Sequence, residues 1–170
     1  MRSTRLRAHA GFTLLELLIV VALLGILAAI SAPFVLAAKS AANESAAIGS
    51  LRTVNTAQAA YQNSCGGGFY APTFNHLAAE GFAGWDLDVT PRTGFSFAMT
   101  PGAGGRPGIT DCAGVANMGD YYAFAEPLDT NTGRRGFATN QVGTLWQDTS
   151  GNAPVEPFVE AGTVAPIRGQ

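Results

Sequence analysis

Charge is what this chain has least of. Only 13% of its 170 residues are Asp, Glu, Lys or Arg, about half of the roughly 25% usual in soluble domains. Yet 47% are hydrophobic, which excludes an ordinary disordered chain, poor in large apolar residues and rich in charge. Ten basic against twelve acidic residues give a formal net charge of -2 and no overall basic field for nucleic acid. Two cysteines and two histidines are too few for a zinc ribbon or a haem array. No G-x-S-x-G, H-E-x-x-H or Walker pattern occurs, and the scarcity of histidine leaves little choice for a His-based hydrolytic site. The glycine-rich run Gly102–Gly108 contains Pro107 and is followed by no helical pattern, so it reads as a strand connection rather than a phosphate cradle. Asp148-Thr149-Ser150-Gly151-Asn152 offers one carboxylate and no EF-hand spacing. The expectation is therefore no enzyme, no cofactor and no metal.

The apolar residues are unevenly spread. Between Arg7 and Lys39 the only ionisable side chains are His9 and Glu16, and Leu17 to Ala32 is an uncharged run of sixteen. As a helix, residues 12–38 are about 40 Å long at about 1.5 Å per residue, enough to cross a bilayer core of about 30 Å even when tilted. Arg2, Arg5 and Arg7 precede it with no acidic residue before Glu16, which puts the N-terminus in the cytoplasm and everything after Lys39 across the membrane. A conventional secretory signal, with its apolar run at 17–30 and a cut near Ala32, leaves Glu16 unexplained.

The stretch Gly11-Phe12-Thr13-Leu14-Leu15-Glu16-Leu17-Leu18-Ile19-Val20-Val21 resembles the class III signal of type IV pilins and type II secretion pseudopilins. The likeness continues through Gly25 and Pro33, where pilins often carry a helix-loosening glycine and proline. It implies a cytoplasmic leader 1–11 cut between Gly11 and Phe12 by a prepilin peptidase, with N-methylation of Phe12 by the methyltransferase. Losing the leader removes three arginines and leaves seven basic against twelve acidic residues, an acidic product. The resemblance also implies identical or related pilin subunits, an inner-membrane assembly platform and membrane lipid as partners. It implies a bacterial inner-membrane precursor, single-pass with its head in the periplasm, that ends in an extracellular pilus or a periplasmic pseudopilus. Glu16 is costly in lipid without a partner, at roughly 2.5–3.5 kcal/mol on insertion scales. Its candidate partners are the Phe12 amine of its own chain or, as the family implies, that of a neighbouring subunit; a snorkelling interfacial glutamate is the bland alternative. Gly25 to Pro33 is the expected place for the helix to bend or melt, or to hold a static kink.

Beyond Pro33 the alanine-rich sequence predicts helix to about Asn63, stopped by Cys65-Gly66-Gly67-Gly68. Ile48, Leu51, Val54, Ala57 and Tyr61 form one stripe, with Glu44, Arg52, Asn55 and Gln62 expected mostly off it. Residues 64–170 are expected to form the head. A short helical turn is predicted at Phe74–Gly81, and strands at Gly94–Thr100, Tyr121–Glu126, Arg135–Ala138 and Gly143–Gln147. Phe95, Phe97 and Met99 alternate onto one face suited to covering the helix, and Tyr122, Phe124, Phe137, Leu145 and Trp146 are further core or sheet-face candidates. The tail from Gly151, with Pro154, Pro157 and Pro166, is expected to run extended over the surface. Arg134-Arg135 reads as a solvated strand end rather than a DNA contact. Cys65 and Cys112 both fall outside the cytoplasm, where a disulfide persists; two free buried thiols are the alternative.

The expected fold is α+β and pilin-like: a long N-terminal helix at 12–63, transmembrane over 12–38, packed on a small antiparallel sheet. The expected function is a filament subunit that polymerises through that helix. A type II secretion pseudopilin is the alternative within the family, and a membrane-anchored binding protein or adhesin that never polymerises is the alternative outside it.

Overall fold

A computed structural model of the chain describes residues 12–84 and 93–168. Gly11 and the leader arginines lie outside the described residues. The chain divides into two units, Met1–Ala37 and Ala38–Gln170, and helix α1 (Leu14–Ser64) has residues in both.

In the first unit Thr13 caps the helix. Its hydroxyl accepts from the Glu16 amide at 3.1 Å and its carbonyl from the Leu17 amide at 3.3 Å, satisfying donors that a helix start otherwise leaves open. Thr13-Leu14-Leu15-Glu16 thus has the Thr-x-x-Glu form of a capping box, with Glu16 near the positive end of the helix dipole. Helix continues through Gly25 and Pro33, although Pro33 has no N–H to give the Ala29 carbonyl. The large apolar side chains from Phe12 to Leu36 all stand exposed, from 44% at Val20 to 85% at Leu14.

The second unit packs the remaining part of α1 on a sheet. Glu44, Ala47, Leu51, Val54, Gln58 and Tyr61 are buried at steps of three and four residues, one face of a helix turning every 3.6 residues. The sheet is antiparallel, ordered β1 (Phe95–Pro101), β4 (Tyr121–Pro127), β5 (Gly136–Asn140), β6 (Trp146–Asp148), β7 (Val164–Pro166). Phe95 and Phe97 alternate inward and join Leu51, Val54, Tyr121 and Phe137 in one buried cluster, with Met99 half-buried against it. The strands expected at Gly94–Thr100, Tyr121–Glu126 and Arg135–Ala138 correspond to β1, β4 and β5, whereas the one expected at Gly143–Gln147 begins only at Trp146. A short helix α2 (Phe74–Ala79) is capped by Thr73, whose hydroxyl accepts from the His76 amide.

Several expectations need correction. Glu44 does not lie off the buried stripe; it is 6% exposed, because its carboxylate has donors waiting for it. Oε1 accepts from the Arg134 and Arg135 amides at 2.8 and 3.2 Å, and Oε2 from Arg135 Nη2 and Nε at 2.6 and 2.8 Å. Arg135 is consequently no solvated strand end: it also donates to Gln147 at 2.8 Å and lies 5.6 Å over the Phe137 ring. Gly102–Gly108 is more than a connection, since β2 (Pro107–Thr110) pairs with β3 (Ala116–Met118) as a separate hairpin. A Cβ on Gly108 would stand 1.8 Å from the Asn117 carbonyl oxygen, so only glycine allows this approach.

The tail also does more than run over the surface, because Val164–Pro166 adds an edge strand to β6. Upstream of that strand it covers the sheet face away from the helix. Tyr122 donates to the Pro154 carbonyl at 2.7 Å, and the Ala153 amide donates to Glu126 at 3.0 Å. Tyr122, Phe124 and Trp146 lie half-buried on this outer face, while Phe137 and Leu145 are buried on the helix side. The Tyr122 hydroxyl is pushed up to about 12 by burial and by the nearby Glu126 and Glu156 carboxylates.

Candidate functional site

The sequence singles out two regions: the exposed apolar start of α1 and the region where α1 ends. Phe12 is 82% exposed and lies just ahead of the first helical residue. In the uncleaved chain it carries an amide, not an amine, and Glu16 makes no ion pair among the described residues. A Cβ on Gly25 would meet nothing within 4 Å, so packing inside this chain does not require glycine there. Thr13 is the residue that sequence reasoning passed over, although the Thr-x-x-Glu spacing was present to show it.

At its other end α1 stops at a glycine turn. The Cys65 and Gly66 amides both donate to the Tyr61 carbonyl, and the Gly68 amide donates to Gln62 at 3.0 Å. A Cβ on Gly66 would stand 2.7 Å from the Tyr61 ring and 2.2 Å from the Phe69 oxygen, and Gly67 and Gly68 have φ of 58° and 94°; no residue with a side chain fits this exit comfortably. Cys65 is bonded to Cys112 with Cα atoms 4.9 Å apart. This link closes a loop whose restriction in the unfolded chain stabilises the fold by about 4 kcal/mol in chain-entropy terms.

Asp111, beside the disulfide, gathers a buried clamp. Its Oδ2 accepts from the Tyr61 hydroxyl at 2.5 Å and lies 2.6 Å from His76 Nε2; its Oδ1 accepts from the Ala113 and Val115 amides at 2.9 and 2.8 Å. Burial opposes the charged carboxylate, but these hydrogen bonds outweigh it and hold the Asp111 acid well below the ordinary carboxylate range. Burial, with the Asp111 bond and charge, keeps the Tyr61 phenol protonated well above its ordinary range. Both Asp111 oxygens are occupied and Tyr61 is fully buried, so the arrangement fastens α1, α2 and the hairpin loop rather than presenting a reactive group. Cys65, Glu80 and Cys112 also place ligand-type atoms within 4.8 Å of one another, but sulfurs bonded to each other are not thiolate ligands.

The clamp sets an acid limit. A carboxylate with a depressed folded-state pKa contributes stability that is complete above its unfolded value, about 3.9, and is lost as pH falls toward the folded value. Unfolding midpoints of the head are expected to drop steadily below about pH 5. Asp111→Asn should be less stable at pH 7 and show a flatter acid limb, as measured by urea unfolding in detergent at a series of pH values. Parallel acid limbs for variant and wild type would remove Asp111 as their source.

Residues 6–32 match the family model described as the prokaryotic N-terminal methylation motif. The chain thus carries the class III signal of type IV pilins and pseudopilins. No curated protein and no solved structure matches the chain. The long helix packed on a small antiparallel sheet is a pilin-like architecture, and the motif is the one such precursors carry. The motif points to a structural subunit rather than an enzyme, to processing by a prepilin peptidase, and to membrane anchoring with pilus-type assembly.

Proposed function

We propose that this chain is a precursor of a filament subunit, cut between Gly11 and Phe12, N-methylated at Phe12, and polymerised through residues 12–38. The observation that carries this reading is the uncovered apolar helix. Large side chains around its whole circumference are exposed from Phe12 to Leu36, a surface that requires lipid before assembly and sister helices afterwards. Glu16 then meets the Phe12 amine of a neighbouring subunit, which offsets the cost of carrying its charge into the filament core. Gly25 and Pro33 weaken the helix between them, so this stretch is where it unwinds on leaving the bilayer. The head, closed by the Cys65–Cys112 bond, faces outward.

Intact-mass analysis of sheared cell-surface filaments tests the reading. The expected species is the chain from Phe12 onward plus one methyl group, abundant in the sheared fraction. A mature product starting near Pro33 would indicate a conventional signal and a soluble protein. Correctly processed protein confined to the cell envelope would move the assignment to a periplasmic pseudopilus.

A further inference from the structure

The outer sheet face holds a cavity of about 390 Å³ at the end of β5 and β6, within the roughly 300–1,000 Å³ typical of small-molecule sites. One wall is aromatic: Trp146 and Phe158 stack with centroids 5.4 Å apart and planes inclined at 23°. The rest includes Asn140, Gln141, Thr144 and Glu156. Glu156 is held in place, with Oε1 accepting from Asn140 Nδ2 at 2.5 Å and Oε2 from the Ala103 amide at 2.7 Å. Each of its oxygens keeps a further acceptor site. By contrast, the Gln141 amide, the Thr144 hydroxyl and the Trp146 indole N–H make no hydrogen bond to other described residues. Apolar ring surface therefore stands beside three uncommitted polar groups and one immobilised acceptor.

That combination discriminates between ligand chemistries. An anion would meet Glu156, the only ionisable group in the lining, with no cation to offset the repulsion. An ammonium ion would be drawn by Glu156 and the aromatic wall but offers no acceptor, so it would leave the Trp146 N–H, Thr144 and Gln141 donors unpaired. A wholly apolar ligand would strip water from the polar groups and return nothing, at about 1–3 kcal/mol for each. A neutral polyhydroxylated ring meets all of them, laying C–H edges on the aromatic wall while its hydroxyls donate to Glu156 and exchange bonds with Gln141, Thr144 and Trp146. We propose that this cavity is a binding site for neutral saccharides, of one or two pyranose rings. It lies wholly within the head and does not depend on whether the chain polymerises.

The test uses the detergent-solubilised full chain and saturation-transfer NMR with four probes: methyl α-glucoside, methyl β-galactoside, N-acetylglucosamine and choline. At least one sugar is expected to bind with a Kd of about 1 mM, and choline to bind more weakly than that sugar. Gln141→Ala changes an exposed side chain that supports no other residue, and Trp146→Phe keeps the ring while removing the N–H. Each is expected to weaken sugar binding about 10-fold, the value of a hydrogen bond of about 1.4 kcal/mol, with the unfolding midpoint of Gln141→Ala unchanged. No transfer to any sugar, preference for choline, or sugar binding indifferent to both substitutions overturns the proposal.

Discussion

Glu16→Ala is expected to leave the subunit cleaved, methylated and in the membrane, and to remove it from filaments. The substitution keeps the Thr13 cap, because that bond uses the residue-16 amide rather than the carboxylate. It forgoes only the carboxylate's interaction with the helix dipole, about 0.3–1 kcal/mol, and makes an apolar helix more apolar. Insertion and folding of the head should therefore be untouched. In a filament, however, each incoming Phe12 amine would reach the core without its partner. Leaving one member of a buried pair alone costs about 3–5 kcal/mol, which lowers each addition step by more than about 100-fold. With the wild-type copy removed, immunoblots of membrane and sheared fractions should show normal membrane protein and a few per cent or less of the normal filament yield. Normal yield would make Glu16 a tolerated interfacial residue and favour an anchored protein that does not polymerise.

The second large effect is expected at Glu44, in the head. Glu44→Ala strands two backbone amides and the Arg135 guanidinium that the carboxylate now holds. The Arg135 side chain is 38% exposed and can turn to water, so the cost should fall near the lower end for a broken buried pair, about 3 kcal/mol. For a head of this size the unfolding midpoint should fall by about 10 °C. Glu44→Gln retains an oxygen for the two amides and loses the charge, so about half that drop is expected. Circular-dichroism melts of both variants in detergent give the comparison. An alanine variant that melts within a couple of degrees of wild type would show that the buried carboxylate does not hold the helix to β5.

The two predictions differ in how much of them the sequence makes visible. Glu16 stands out because it interrupts an uncharged run beside a glycine–phenylalanine junction, all within a few residues. Glu44 looks like any exposed glutamate on an alanine-rich helix, and Arg134-Arg135 like any basic pair near a turn. Their meeting spans 91 positions, and no local period encodes it. The same holds for Gln58, whose amide brackets Ala71 by donating to its carbonyl at 3.1 Å and accepting from its amide at 2.8 Å. It holds too for Asp111, whose partners Tyr61 and His76 come from α1 and α2. The β2–β3 hairpin was missed for another reason: strands of four and three residues, the first opening on Pro107-Gly108, are too short to show alternation.

What the sequence alone determined is therefore what neighbouring residues decide together. The class III signal, the membrane-crossing length, the helix and its glycine stop, and the two strands with clear alternation, β1 and β4, all belong to that set. Tertiary structure decided where the polar groups go. It buried Glu44 and Gln58, drew His76 and Asp111 together next to the disulfide, and strapped the tail across the outer face to leave the cavity at Trp146. The physical reason is one of range. Apolar burial is non-directional and repeats with the helix or strand period, so it can be read along the chain. A buried hydrogen bond needs one particular partner at one distance and angle, and only the folded backbone specifies which residue that is.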